Sequence, residues 1–246
     1  MAGNVCLPPP GGKRLCPDRP GVCMFRANRS SLTDNTCDVT DALTVHAIIP
    51  LSLLEALRNL DTPVEDGLEE LAGEIVSKRL GLSPTVAAQI ARYQDTVKGS
   101  GKVDAEEALA VFRLAGRRPD AALVFADAGR RAARHGARQM SGALRALKAM
   151  SPGPVSRALG RRLTGKTART ILAAELPVKA GVVEGRVPMS LAIRALPGGQ
   201  GCGFYGAAFG ELLRVFTGFE GAIVHDRCRG RGNDGCHWRA ASGGEY

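Results

Sequence analysis

The sequence predicts an α+β fold, with helices packed on a mostly antiparallel sheet that ends in a zinc-stapled hairpin. Three observations carry that expectation. Amphipathic helical patterns follow one another from Leu43 to about Leu176, and β-rich segments take over after Pro177. The C-terminal stretch then gathers Cys202, His225, Cys228 and Cys236. Helices first and strands later argue against an alternating, doubly wound sheet. With 246 residues, 44% of them hydrophobic and 23% charged, the chain is long enough to bury a substantial core. Aromatic residues are only 4%, so the helices are expected to pack through small and aliphatic side chains.

Residues 1–42 read as a poorly ordered leader rich in Cys, Pro and Gly. Pro8-Pro9-Pro10-Gly11-Gly12 and Pro17-Asp18-Arg19-Pro20-Gly21 can continue neither a helix nor a central strand. Cys6, Cys16, Cys23 and Cys37 lie there at spacings of ten, seven and fourteen, without the close CxxC pair of a zinc knuckle. The folded domain is expected over residues 43–241, with 242–246 as a tail. A short apolar segment, Thr44 to Pro50, leads into a helix from Ser52 to Leu60 that places Leu53, Leu54, Leu57 and Leu60 inward. Asp61 and Thr62 can cap a helix with Pro63 in its first turn, running to Leu80 and stopped by Gly81. Ser83-Pro84 restarts a helix through Tyr93, which Gly99-Ser100-Gly101 ends. Further helices are expected over Asp104–Leu114, Pro119–Arg134 (Ala122, Val124 and Phe125 inward), 139–150 and 154–175. Strands follow at Val178–Val183 and Val187–Leu196, with a turn at Glu184-Gly185-Arg186. A helix from Cys202 to Phe216, a strand Gly221–Arg227, a turn Gly230–Gly235 and a strand Cys236–Ala240 complete the chain.

Composition excludes several function classes. No apolar run approaches the roughly eighteen residues that span a bilayer. The N-terminus carries Pro and Gly where a signal peptide needs its apolar stretch, which implies a cytoplasmic protein. Seven cysteines in a reducing compartment point to metal ligation or free thiols before disulfides. Net charge is +9, and the stretch from Arg113 to Arg169 holds fourteen Lys/Arg against Asp120 and Asp127. With Phe125 placed inward, no aromatic side chain interleaves these arginines to stack on bases. The stretch therefore reads as a solvated helical face, and nucleic acid is not an expected partner.

Three glycine motifs carry little weight. Gly160-Arg161-Arg162-Leu163-Thr164-Gly165-Lys166-Thr167 matches the P-loop pattern, but no buried strand precedes it and no apolar strand ending in an acid follows it. Gly201-Cys202-Gly203-Phe204-Tyr205-Gly206 and Gly230-Arg231-Gly232-Asn233-Asp234-Gly235 both match GxGxxG, yet too little chain follows either for a dinucleotide domain. Thirty-one glycines make chance matches expected.

Soft thiolates with one imidazole suit tetrahedral zinc. Cys202 would open its helix, where the dipole and free N–H groups favour a thiolate. His225 and Cys228 would come from the end of one strand and Cys236 from the start of the next. The competing reading is buried free cysteines with a surface histidine, and His237 rivals His225 as the imidazole ligand.

The pattern Cys202-x-Phe204-Tyr205-x-x-x-Phe209, the polar residue three before Cys228, then Gly232-Asn233 and Cys236, resembles the end of a 4-vinyl reductase domain. That family shares its fold with the vesicle-tethering TRAPP subunits and with the sensor domains of phenol- and xylene-responsive activators. In those sensors a Cys, a Glu and two further Cys bind zinc, so the resemblance implies a structural zinc on Cys202, His225, Cys228 and Cys236, with His225 where the sensors carry Glu. More weakly, Val103 to Arg138 and Ala143 to Leu172 are similar to the bacteriochlorophyll-synthesis members. The resemblance implies a domain for a small hydrophobic or tetrapyrrole ligand, an accessory factor in that synthesis, with helices between Thr44 and Leu176 as apolar pocket walls. Second to that reading it allows a divinyl chlorophyllide 8-vinyl reductase component drawing on a partner's electrons, and third a dimeric sensor or scaffold; a homodimer is expected. The residues themselves display no catalytic or redox-cofactor constellation.

Overall fold

The computed structural model describes residues 43–62, 80–139, 150, 153–179 and 182–242. The leader, most of the helix expected from Pro63 to Leu80, the helix expected over 139–150 and residues 243–246 lie outside the described residues. Within them a short strand β1 (Thr44–His46) precedes α1 (Ile48–Asp61), and α2 (Pro84–Lys98) is followed by β2 (Lys102–Asp104). Helices α3 (Ala105–Gly116), α4 (Ala121–Arg138) and α5 (Gly153–Leu172) come next. The C-terminal part runs β3 (Val178–Lys179), β4 (Val182–Val187), α6 (Leu191–Ala195), α7 (Gly203–Thr217), β5 (Gly221–Arg227) and β6 (Cys236–Ser242). Strands β1 and β2 form an antiparallel pair, and the other four form an antiparallel sheet in the order β3-β4-β6-β5. The fold is thus mixed α+β, and no described helix is long and apolar enough to cross a membrane.

Two helices organise the core. In α1 the side chains of Ile48, Ile49, Leu51, Leu53, Leu54 and Leu57 are all buried. A helix apolar on nearly every side must be enclosed, and α2, α3 and α4 enclose it. Helix α7 is the second hub. It buries Phe204, Tyr205, Phe209, Leu212 and Phe216, each adding about 1.5–3 kcal/mol on leaving water. It packs on α4, α5 and β5, while Phe209 and Tyr205 meet Trp238 of β6. Two glycines let backbones approach α7 closely. A Cβ on Gly129 would sit 2.1 Å from the Phe204 carbonyl oxygen, and one on Gly160 the same distance from that of Phe216.

Local chemistry explains three of the helix starts. Ser83 accepts a hydrogen bond from the Val86 N–H, Asp104 from Glu106 and Ser190 from Ile193, each pairing an otherwise orphaned donor of the first turn. Two expectations need correction. Helix α1 begins at Ile48, ahead of Ser52, because Pro50 falls in the first turn, where its missing N–H leaves nothing unpaired. The turn expected at Glu184-Gly185-Arg186 lies inside strand β4, and the strand expected from Val187 to Leu196 contains helix α6 instead. Gly185 reads as a turn residue, but a Cβ there would lie 2.7 Å from the Phe209 ring. It is needed for close helix-on-sheet packing. Ser190 supplies the cap that makes 191–195 helical, and the Leu191 N–H donates to the Tyr205 hydroxyl at 3.2 Å.

The P-loop match lies within α5, a continuous helix, so its N–H groups are used along the helix axis and form no phosphate cradle. Gly160 serves the contact with α7, and the Thr164 hydroxyl donates to the Gly160 carbonyl at 2.9 Å.

Candidate metal centre

Each of the four candidate ligands has a local reason for its place. Cys202 ends a short 3-10 turn and is the residue from which α7 departs, at the positive end of that helix's dipole. The preceding Pro197-Gly198-Gly199 turn presses on the sulfurs through Gly199, whose φ is +81°. A Cβ at Gly199 would lie 2.9 Å from Cys228 Sγ and 3.9 Å from Cys202 Sγ. His225 lies on β5 opposite Trp238 of β6, and the two rings stack with centroids 4.6 Å apart and planes 8° from parallel. A register shift between His225 and Arg227 then offsets the pairing of β5 with β6, which resumes at Arg227 and His237, and Cys228 follows directly. Its carbonyl accepts from the Arg231 N–H at 2.9 Å, the Asn233 N–H at 3.3 Å and the Asn233 side-chain amide at 3.1 Å. Those bonds wind the next residues into a knuckle, with Gly232 in the left-handed conformation at φ +87°. Cys236 then opens β6, paired with Val187 of β4.

The four ligand atoms all lie within 4.8 Å of one another. Cys202 Sγ is 3.9 Å from Cys228 Sγ and 4.0 Å from Cys236 Sγ. A tetrahedral ion with zinc–sulfur bonds of about 2.3 Å spaces its sulfurs about 3.8 Å apart. All three cysteines are free thiols and buried. His225 Nε2 is also buried and has no hydrogen-bond partner, an arrangement that proteins rarely leave unexplained. A polar contact with the Arg227 backbone engages the ring, and the unpartnered nitrogen is the one free to ligate.

The electrostatics fit a cation. Burial, then the charges of the neighbouring Cys236 and Cys228, push the Cys202 thiol far above its ordinary range. Burial also raises Cys236, against the opposing hydrogen bond from the Arg229 backbone. Three thiols this close resist ionising together unless a metal ion compensates them. Burial, assisted by Arg231, lowers the pKa of His225, which keeps the imidazole neutral, the form that binds metal. His237, the rival imidazole, is outside the cluster; alternation along β6 turns it to the opposite face from Cys236.

These residues could hold a metal ion, and the all-protein Cys3His donor set is that of closed structural zinc sites, which keep no position open for substrate. The sequence had singled out the same four residues. It gave no sign of Gly199, which is recognisable only once its φ and the two sulfurs are in view.

A cleft of about 480 Å³ ends on two of the ligands. Gly203, Gly206 and Gly210 of α7 form one wall, Ile223 and His225 of β5 the other, and Trp238 lies between them. A second cleft, of about 340 Å³, lies between α1, α2 and α4. Its lining of Glu55, Arg58, Asn59, Gln94 and Arg131 is charged or polar, with Ile90 the main apolar contribution. Of these two clefts, the one with an apolar and aromatic wall is therefore beside the metal centre, and the one between the helices is polar.

No protein-family model, curated protein or solved structure matches the chain.

Proposed function

We propose that this chain is a zinc-clasped binding domain for a small hydrophobic ligand, with the zinc structural and the ligand seated in the cleft between α7 and β5. The observation that carries this reading is the convergence of Cys202, His225, Cys228 and Cys236 on one point at the end of that cleft. The ion would fix the start of α7 to both strands and so hold the cleft walls at a set distance. Its test is metal analysis joined to melting. The purified protein carries about one zinc per chain, and the Cys228→Ser/Cys236→Ser double variant loses zinc together with cooperative unfolding. Metal-free protein with an unchanged melting curve would overturn the proposal.

The weaker resemblance read in the sequence over Val103–Arg138 is what suggests a tetrapyrrole as the ligand and an accessory role in bacteriochlorophyll synthesis. Divinyl chlorophyllide is accordingly the first natural compound to titrate. The same titration with added reductant tests the alternative, a vinyl reductase component: turnover would replace the carrier reading, and saturable binding without turnover supports it.

A further inference from the structure

Within the proposed ligand cleft, two groups are left with unmet chemistry. Trp238 is 2% exposed, yet its indole N–H has no acceptor among the described residues. The indole nitrogen faces the α7 wall, 3.3 Å from where a Gly206 Cβ would stand. Unlike His225 Nε2, the indole nitrogen is not sealed from solvent, so a ligand acceptor can reach it from the cleft. Arg130 of α4 lines the same cleft, is exposed, and makes no ion pair among the described residues. Arg134 and Arg214 are both taken up by the carboxylate of Glu211, at 2.7 and 2.8 Å.

Both groups belong to one end of the cleft. Gly129, next to Arg130, lies over Phe204 and Ala208, beside Gly206. Glu220, an acid of the lining with no ion pair among the described residues, lies past the other end of α7, and from Gly206 to Thr217 the helix advances about 16 Å. The end near Arg130 also has the N-terminus of α7, with its positive dipole end. A zinc ion on three thiolates and one imidazole would place one negative charge there, and Arg231, close to His225, lies beside it. On the same wall one turn before Gly206 there is open space: a Cβ at Gly203 would meet nothing within 4 Å.

We propose that the cleft selects a flat organic acid, whose ring system lies along the Gly203/Gly206 wall and whose carboxylate is held by Arg130 and the indole N–H of Trp238. This rests on the cleft being the ligand site. A guanidinium and an N–H donor with no protein acceptor favour a carboxylate over a neutral ligand of the same shape.

Because Trp238 is the chain's one tryptophan, a single indole N–H signal in the nitrogen-15 spectrum of the full-length, zinc-loaded protein reports the site. The probes are 2-naphthoate and its neutral counterpart 2-naphthalenemethanol. The expected result is a saturable shift of that signal by both, with naphthoate binding about tenfold tighter. Arg130→Met removes the preference and leaves the alcohol's affinity unchanged. Gly203→Leu, whose side chain enters that open space, abolishes binding of both while the remaining spectrum stays folded. Equal affinities in the parent protein, or a preference that survives Arg130→Met, overturn the organic-acid proposal and leave the cleft standing. An indole signal that neither probe moves overturns the cleft itself.

Discussion

Gly199 is the residue on which the metal centre depends most without contributing a donor atom. Its positive φ and the closeness of Cys228 Sγ leave no room for a side chain. Gly199→Ala should cost roughly 1–3 kcal/mol and weaken zinc binding, measured by thermal unfolding and by competition with a chromogenic chelator. His225→Glu should retain zinc, since a carboxylate oxygen also ligates it. His225→Ala should lose most of the affinity in the same competition assay. The candidate ligands were legible in the sequence because metal chemistry restricts residue types. The expected strand after Val187 failed because Ser190 caps a helix through one side-chain bond, which outweighs the β-propensity of a short apolar run.

At the scale of elements, α7 is held from several sides, and each contact gives a prediction. Glu211 of α7 is 4% exposed and joins that helix to α4 through Arg134, while Arg214 of α7 itself also holds its carboxylate. Burial alone would raise its pKa, but hydrogen bonds from Arg214 and Arg134 hold it below 4.5. A carboxyl whose pKa is lowered by folding contributes stability above its ordinary value and loses it as the pH falls. Glu211→Gln should therefore destabilise by roughly 1–2 kcal/mol at neutral pH, a modest figure because both arginines are half exposed. The gap from the parent should close below about pH 4 in urea unfolding. Helix α5 supplies a paired contrast. Gly160→Ala forces a Cβ against the Phe216 carbonyl and should cost about 2 kcal/mol or more. Lys166→Ala, on an exposed face, should change stability by less than about 0.5 kcal/mol. A working P-loop would show the reverse emphasis, with Lys166 essential to ATP binding. The sequence pattern could not separate these cases, since GxxxxGKT is the same string whether its glycines free a loop or admit a neighbouring backbone.

For the whole molecule, part of the basic stretch is paired within the fold. Arg113 pairs with Glu106, Arg118 with Asp61 and Asp120, Arg131 with Asp127 and Arg134 with Glu211. Of these acids, Asp61, Glu106 and Glu211 lie outside the stretch in sequence, which is why a local count overstates the charge of the surface. The α+β order of elements could be read from the switch in periodicity near Pro177, whereas the closeness of α4, α5 and α7 depends on Gly129 and Gly160, which look like ordinary helix-weakening residues in the sequence. Chelation tests how far the metal centre governs the rest. EDTA should lower the melting temperature and loosen α7, β5 and β6 first, with α1 and α2 protected longer in hydrogen exchange.

The stack of His225 on Trp238 gives the protein a built-in optical gauge. With one indole in the chain, all tryptophan fluorescence originates at the junction of β5 and β6, in face-to-face contact with the imidazole. Capture of that imidazole by a cation changes the ring against which the excited indole relaxes. Loading, removal and exchange of the ion can therefore be followed by emission alone, without a label and at low protein concentration.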